Sequence, residues 1–461
     1  MKITELRILP PLAIARLGSS PEPLDNYDVV VPAEHPLGYR RIEPAETFVV
    51  DPSTGEISTV VPGAIRFKDD AGRVRPVAPF LEVWAITGEG TLEPLTTTLL
   101  ASVNRSPADV AWHVHVGNIK AFRRTRDPDD RIYAQLGPIS DHAAHALLGQ
   151  CGHFKPGKSL PFGAVRYVKP TDRFPEIRLR FTPAAGKVYG ATAGDPNIVD
   201  DVYDASQGKW RGYVETDQTV APALTAPSQT YAGDDDAQGN WVSRGYLDDE
   251  CDGIVEVRLT MADDGGAARE LAAFARIGAG PPSFAPDSFP VRSVADELEQ
   301  ALLGPEVGAQ APPLAVAEEI LRRAFETVRL MNTAVLNGNA IFGQSGVART
   351  MVLMDSYDFG RLFEPIAAPA LVDNLALRAL HQTVFTALRS GTAPWFASAL
   401  REYTEVADMS DFARRKMPAL MRGADGRLLA LTRRQVDGVR KAASGEPSTD
   451  GTSAGGKTTD E

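Results

Sequence analysis

Cysteine is almost absent from this chain. The two residues, Cys151 and Cys251, exclude a disulfide-rich secreted scaffold. Long apolar runs are missing as well. No stretch reaches about 18 uninterrupted apolar residues, so no transmembrane helix and no membrane partner are expected. The opening MKITELRILPP has no apolar run before Pro10 and does not read as a secretory signal. The default compartment is therefore the cytoplasm. Basic clusters are lacking too. Lys and Arg number 48 against 60 Asp and Glu, a formal net charge of −12. That balance argues against a nucleic-acid partner, which would need a basic stripe, and fits an acidic soluble protein.

What remains is an ordinary globular composition over 461 residues, enough for two or three domains. The first part reads as β. Phe48–Val50, Leu81–Ile86, Trp112–Val116, Ile177–Phe181 and Ile254–Leu259 are short, β-branched or aromatic, and bounded by turn residues. In Ile254–Leu259, Ile254, Glu256 and Arg258 share one face, and Val255, Val257 and Leu259 the other. Pro52–Gly55, Asp69–Gly72 and Ala184–Gly186 are the turn signals between such runs.

Pro and Gly then crowd the stretch from Ile277 to Pro313, with a short helix predicted at Ser293–Leu303. Beyond it the period changes. Leu314–Asn337 places Ala317, Ile320, Leu321, Ala324, Phe325, Val328, Met331 and Val335 on one helical stripe, between Pro313 and Gly338. Leu371–Ser390 predicts a second helix, and Trp395–Thr404 and Asp411–Arg422 shorter ones. The fold class expected is α+β. A β-rich domain over 1–280 precedes a Pro/Gly-rich linker at 281–313, a compact, mostly helical domain at 314–441 and a disordered tail at 442–461.

Several constellations carry candidate chemistry. Gly152–Ser159 (GHFKPGKS) matches the phosphate-loop pattern, which needs a strand before it and a helix after it. The residues before it, Asp141–Gln150, read as helical or irregular, and Leu160–Gly163 is a poor helix start. A nucleotide-binding protein is thus one alternative, and a surface loop the other. His113, His115, His142, His145, Cys151 and His153 are candidate metal ligands, since imidazole and thiolate suit zinc, copper or iron. His113 and His115 would share a strand face, and His142 and His145 a helical face. Satisfied structural histidines are the competing reading. The acidic runs Asp234–Asp236 and Asp248–Asp252 do not make a calcium hand, because Gly245 stands where the twelfth loop position needs Glu.

Four segments carry a resemblance: Ile8–Ser20 (ILPPLAIARLGSS), Trp112–Phe122 (WHVHVGNIKAF), Asp248–Val257 (DDECDGIVEV) and Ala279–Asp287 (AGPPSFAPD). In this order they resemble the N-terminal region of the lysine-ε-oxidase family, over roughly residues 1–300. That family comprises amino-acid oxidases that build a cysteine tryptophylquinone from their own Cys and Trp. The resemblance implies an oxidoreductase acting on an amine or amino-acid substrate, and a flavoprotein maturation partner. Trp395, Trp241 and Cys251 are the residues here that could stand for the cofactor. No cysteine follows Cys251, so the quinone is not expected in the C-terminal part, where the family keeps it. The cofactor is thus altered or lost, and the catalytic residues stay unassigned. A non-catalytic binding or scaffold relative is the other alternative, and a homo-oligomer is left open.

Overall fold

The structure, a computed structural model, describes residues 2–30, 41–88, 90–190, 202–204, 206–210, 233–235, 241–243, 245–262, 268–282, 289–308 and 312–327, and beyond those 383–384, 386–388, 399–406, 408, 416–418 and 430–444. The chain divides into two compact units. One comprises Met1–Asp28 with Glu43–Ser283, the other Val29–Ile42 with Phe284–Glu461.

The first unit is built on two sheets. One runs Ile3–Leu9, Phe80–Thr87, Arg178–Pro183, Leu160–Tyr167, Ala144–Gly149, all antiparallel, with Leu92–Pro94 added beside Phe80–Thr87. The other runs Ile132–Ile139, Val110–Asn118, Cys251–Ala262, Ala268–Gly280, Leu12–Arg16, and only its last pair is parallel. Period-2 alternation explains why these segments are strands. Leu81, Val83 and Ala85 are buried, as are Val110, Trp112, Val114 and Val116, and Val255, Val257 and Leu259. All belong to one apolar core drawn from both sheets. Ile254, Glu256 and Arg258 face outward, as their alternation requires. The β-rich character of this region is therefore plain.

Turn chemistry separates the strands where the sequence indicates. The Asp51 carboxylate accepts from the backbone N–H of Ser53 and Thr54, both at 2.8 Å, and Gly55 follows with φ +75°. One expectation fails. Asp141–Gln150 is not helical, because Ala144–Gly149 is a strand paired with Leu160–Tyr167. Alternate burial of Leu147 and Gly149 decides it, which i,i+3 spacing of two histidines cannot reveal.

In the second unit, Ser293 caps the helix Val294–Leu303 through a box with Asp296. The stretch read as linker is thus partly ordered. Arg434 and Lys441 of the helix Arg433–Ala443 bond Glu306 O at 2.6 Å and Val307 O at 2.7 Å. Leu314–Glu326 is helical and buries Ala317, Ile320, Leu321, Ala324 and Phe325. They cluster with Val384, Leu388, Leu400 and Val439. The continuation to Asn337 and most of Leu371–Ser390 lie outside the described residues. So do Trp395, Phe396 and most of Asp411–Arg422.

Two helix expectations are corrected where they can be seen. Leu400 and Met417 form an isolated parallel bridge, with Met417 N donating to Ala399 O at 2.8 Å, and Tyr403–Glu405 makes a short 3-10 turn. Pro418 disfavours helix at Met417, and the buried Arg401 guanidinium donates to Lys416 O at 2.8 Å. The helix Arg433–Ala443 was not anticipated, although its Thr432–Gln435 capping box is visible in the sequence.

Candidate functional site

An open cleft of about 540 Å³ sits at one end of the outer face of the five-stranded sheet. Leu12 and Ile14 line one side, and Asn118, Lys120 and Arg123 line another. Glu250 to Gly253 and Arg276 to Gly280 complete it. The floor follows from register. Gly117, Asp252, Gly278 and Ile14 are successive cross-strand partners on four adjacent strands. Gly117 is required there, because a Cβ would come within 2.7 Å of the Tyr133 ring that lies over it.

The cleft wall is an ionic network. Lys120 Nζ donates to Asp248 Oδ1 at 2.9 Å, to Asp248 Oδ2 at 2.8 Å and to Glu250 Oε2. Asn118 Nδ2 donates to Asp248 O at 3.1 Å, Asp248 Oδ1 at 2.9 Å and Glu250 O at 3.0 Å, while its Oδ1 accepts from Lys120 N at 3.0 Å. Burial works against the Lys120 charge, but Asp248 and Glu250 outweigh it and hold the amine above its ordinary range. Arg123, Asp252 and Arg276 are exposed at the rim. No described residue bonds the Arg123 or Arg276 guanidinium.

Behind this wall Asp249 is fully buried. Its Oδ2 accepts from Gly186 N at 3.1 Å and Lys187 N at 3.0 Å, and its Oδ1 has no partner. Burial pushes its carboxyl up to about 7, against the two backbone donors and aided by Asp248. Cys251, two residues on, turns into the core with Sγ 4.0 Å from Phe162 O, and burial pushes its thiol up to about 12.

The candidate ligands part company. His113 and His115 do share the outer face of Val110–Asn118. His142 and His145 share no helical face. His142 Nδ1 lies 3.1 Å from Tyr167 O, and His145 Nε2 lies 2.7 Å from Asp141 Oδ1. Cys151 is half-buried, and burial pushes its thiol up to about 12. His153 instead joins Asp127, 3.1 Å away through Nε2, and Asp129. Among the described residues this is the one group of three with metal-ligating atoms close together, all within 4.8 Å. Asp127 and Asp129 were missed from the sequence; they belong to the 3-10 turn Pro128–Asp130, which Asp127 caps. Gly152–Ser159 links two antiparallel strands, with the strand Leu160–Tyr167 where a phosphate loop needs a helix.

Of the residues that could stand for the cofactor, only Cys251 has a described side chain, and it is buried in the core. Trp395 and the Trp241 side chain lie outside the described residues. The buried Trp210 donates Nε1–H to Tyr246 O at 2.8 Å.

No family model matches this chain, and no curated protein matches it. Solved structures of the L-lysine ε-oxidase from Marinomonas mediterranea are similar at a distance. One crystal structure shares 15% identity at a TM-score of 0.42, covering 96% of this chain and 62% of that one. Its Schiff-base intermediate with L-Lys shares 14% at 0.45, with the same coverage. A third shares 14% at 0.39 over 77% of this chain and 49% of that one. The chain thus spans at most 62% of the length of these relatives. No helix among the described residues is long and apolar enough to cross a membrane.

Proposed function

We propose that the chain is an oxidoreductase-like relative of the quinoprotein amino-acid oxidases, with the quinone altered or lost, and that its β-rich unit binds an amino acid in the cleft. One observation carries this. The four segments with the family resemblance, scattered from Ile8 to Asp287, supply three quarters of the cleft lining: Leu12 and Ile14, Gly117 to Lys120, Glu250 to Gly253, Ala279 and Gly280. Arg123 and Arg276 offer cations for a carboxylate, and Asp252 and Glu250 offer anions for an ammonium. In the same reading, residues 314–441 form the helical domain, and the tail of residues 442–461 begins on the last turn of the helix Arg433–Ala443.

A second reading, a non-catalytic binding relative, rests on the state of the wall. Lys120 is held as a cation and Cys251 as a thiol, so neither is poised as a base or nucleophile. Calorimetry with a panel of amino acids, run beside oxygen uptake on the purified chain, separates the two. Binding with oxygen uptake supports the oxidoreductase, and binding alone supports the second reading. No binding, or binding untouched by Arg276→Ala, removes the cleft from both.

A further inference from the structure

The outer face of the six-stranded sheet holds a charge imbalance far from any role assigned above. Arg166 and Arg180 are direct cross-strand partners. Their chain neighbours Val165, Tyr167, Leu179 and Phe181 point into the core, so both arginines face outward. On its other side Arg180 is paired with Phe80, and its guanidinium lies 4.5 Å above that ring. Phe80 is itself braced edge-on by Phe48, with centroids 5.8 Å apart.

No described residue gives Arg180 a hydrogen bond or an ion pair. Its Nε is buried without a partner, and burial pushes the group down to about 10. The neighbouring carboxylates are already engaged. Arg178 takes Glu82 at 2.7 Å and Glu176 at 2.9 Å, and Lys169 takes Glu56 at 2.7 Å. Asp51 accepts from its own turn, including the Ser53 hydroxyl at 2.5 Å. Arg166 donates only to the carbonyls of Asp51, at 3.1 Å, and Pro52, at 2.8 Å. Carbonyls fix a guanidinium in place without cancelling its charge.

Among the described residues these two cross-strand arginines thus have no counter-ion, in a chain whose net charge is −12. A half-buried cation with no partner is costly. An oxyanion matches the planar guanidinium fork with paired, charge-assisted hydrogen bonds. We propose that Arg180 and Arg166 form a binding site for an oxyanion, the phosphate or carboxylate group of a small molecule.

Calorimetry and thermal melting with inorganic phosphate and with malonate, each against chloride at equal ionic strength, test this on the full chain. At least one anion should bind and raise the melting temperature above the chloride control. The tighter of the two tells phosphate from carboxylate. Arg180→Met, which keeps an apolar stem over Phe80, should weaken that binding at least tenfold and melt no lower than the parent in chloride. If Arg180→Met fails to fold, Arg166→Gln carries the test: a tenfold loss supports the site, and unchanged affinity overturns it. Absence of binding beyond chloride, or full affinity in Arg180→Met, also overturns it. Neither outcome bears on the cleft, whose residues are untouched.

Discussion

Lys120 and Asp248 are 128 residues apart in sequence, yet the lysine amine sits 2.8 Å from one Asp248 oxygen and 2.9 Å from the other. This pair ties the end of the strand Val110–Asn118 to the turn that opens Cys251–Ala262. Its side chains are 27% and 13% exposed, which shields the attraction from solvent only in part. Lys120→Met leaves Asp248 and Glu250 facing each other without their shared cation. The expected cost is about 2 kcal/mol, within the range for charged hydrogen bonds. Urea unfolding of the variant measures it, and a parental midpoint would show the network to be dispensable.

Asp249 predicts a pH dependence of opposite sign to that of an ordinary salt-bridged carboxylate. Its folded pKa, about 7, lies above the unfolded value of 3.8. The native state therefore binds the extra proton between those values. Its contribution is fully present below pH 3.8 and is lost as pH rises through about 7. Asp249→Asn keeps an acceptor for Gly186 and Lys187 and carries no charge. It should melt higher than the parent at pH 8, with the gap closing towards pH 4. A constant gap across that range would show that Asp249 does not titrate in this way.

The two thiols give a chemical test. Both are pushed up to about 12 by burial, so almost no thiolate is present at pH 8. Iodoacetamide should label neither in the native protein and both after unfolding. The intact mass should equal the sequence mass apart from loss of Met1, and a redox-cycling stain should be negative. A mass raised by two oxygens less the four hydrogens lost to the quinone and the thioether, or a stained band, would restore the quinone.

Phe325 is fully buried among Leu321, Val384, Leu388 and Leu400. Phe325→Ala should cost about 3–5 kcal/mol, as for other buried aromatics. Chemical denaturation reads it, and a variant melting like the parent would mean that this cluster does not hold the second unit together.

Lys158 is exposed in a loop between antiparallel strands. Lys158→Ala should leave the melting temperature within about 0.5 kcal/mol of the parent in stability terms. ATP should bind neither protein. An ATP affinity lost in the variant would revive the phosphate-loop reading.

Local pattern carried the sequence reading as far as strands and caps. Ile254–Leu259 alternates because one face must be apolar, and that rule needs only six adjacent residues. Ser293 and Asp296 signal a helix start for the same local reason. The four resembling segments could likewise be read one by one. Their convergence could not, because it depends on the parallel pairing of Leu12–Arg16 with Ala268–Gly280, more than 250 residues away. The histidines show the same limit. Five lie between His113 and His153, but His142 meets Tyr167 O, His145 meets Asp141, and His153 meets two aspartates that nothing in the spacing singled out. Sequence alone determined which residues alternate, turn and cap, since those preferences act between neighbours. Tertiary structure decided which charges meet, since that is set by sheet register across loops whose closure no local preference records.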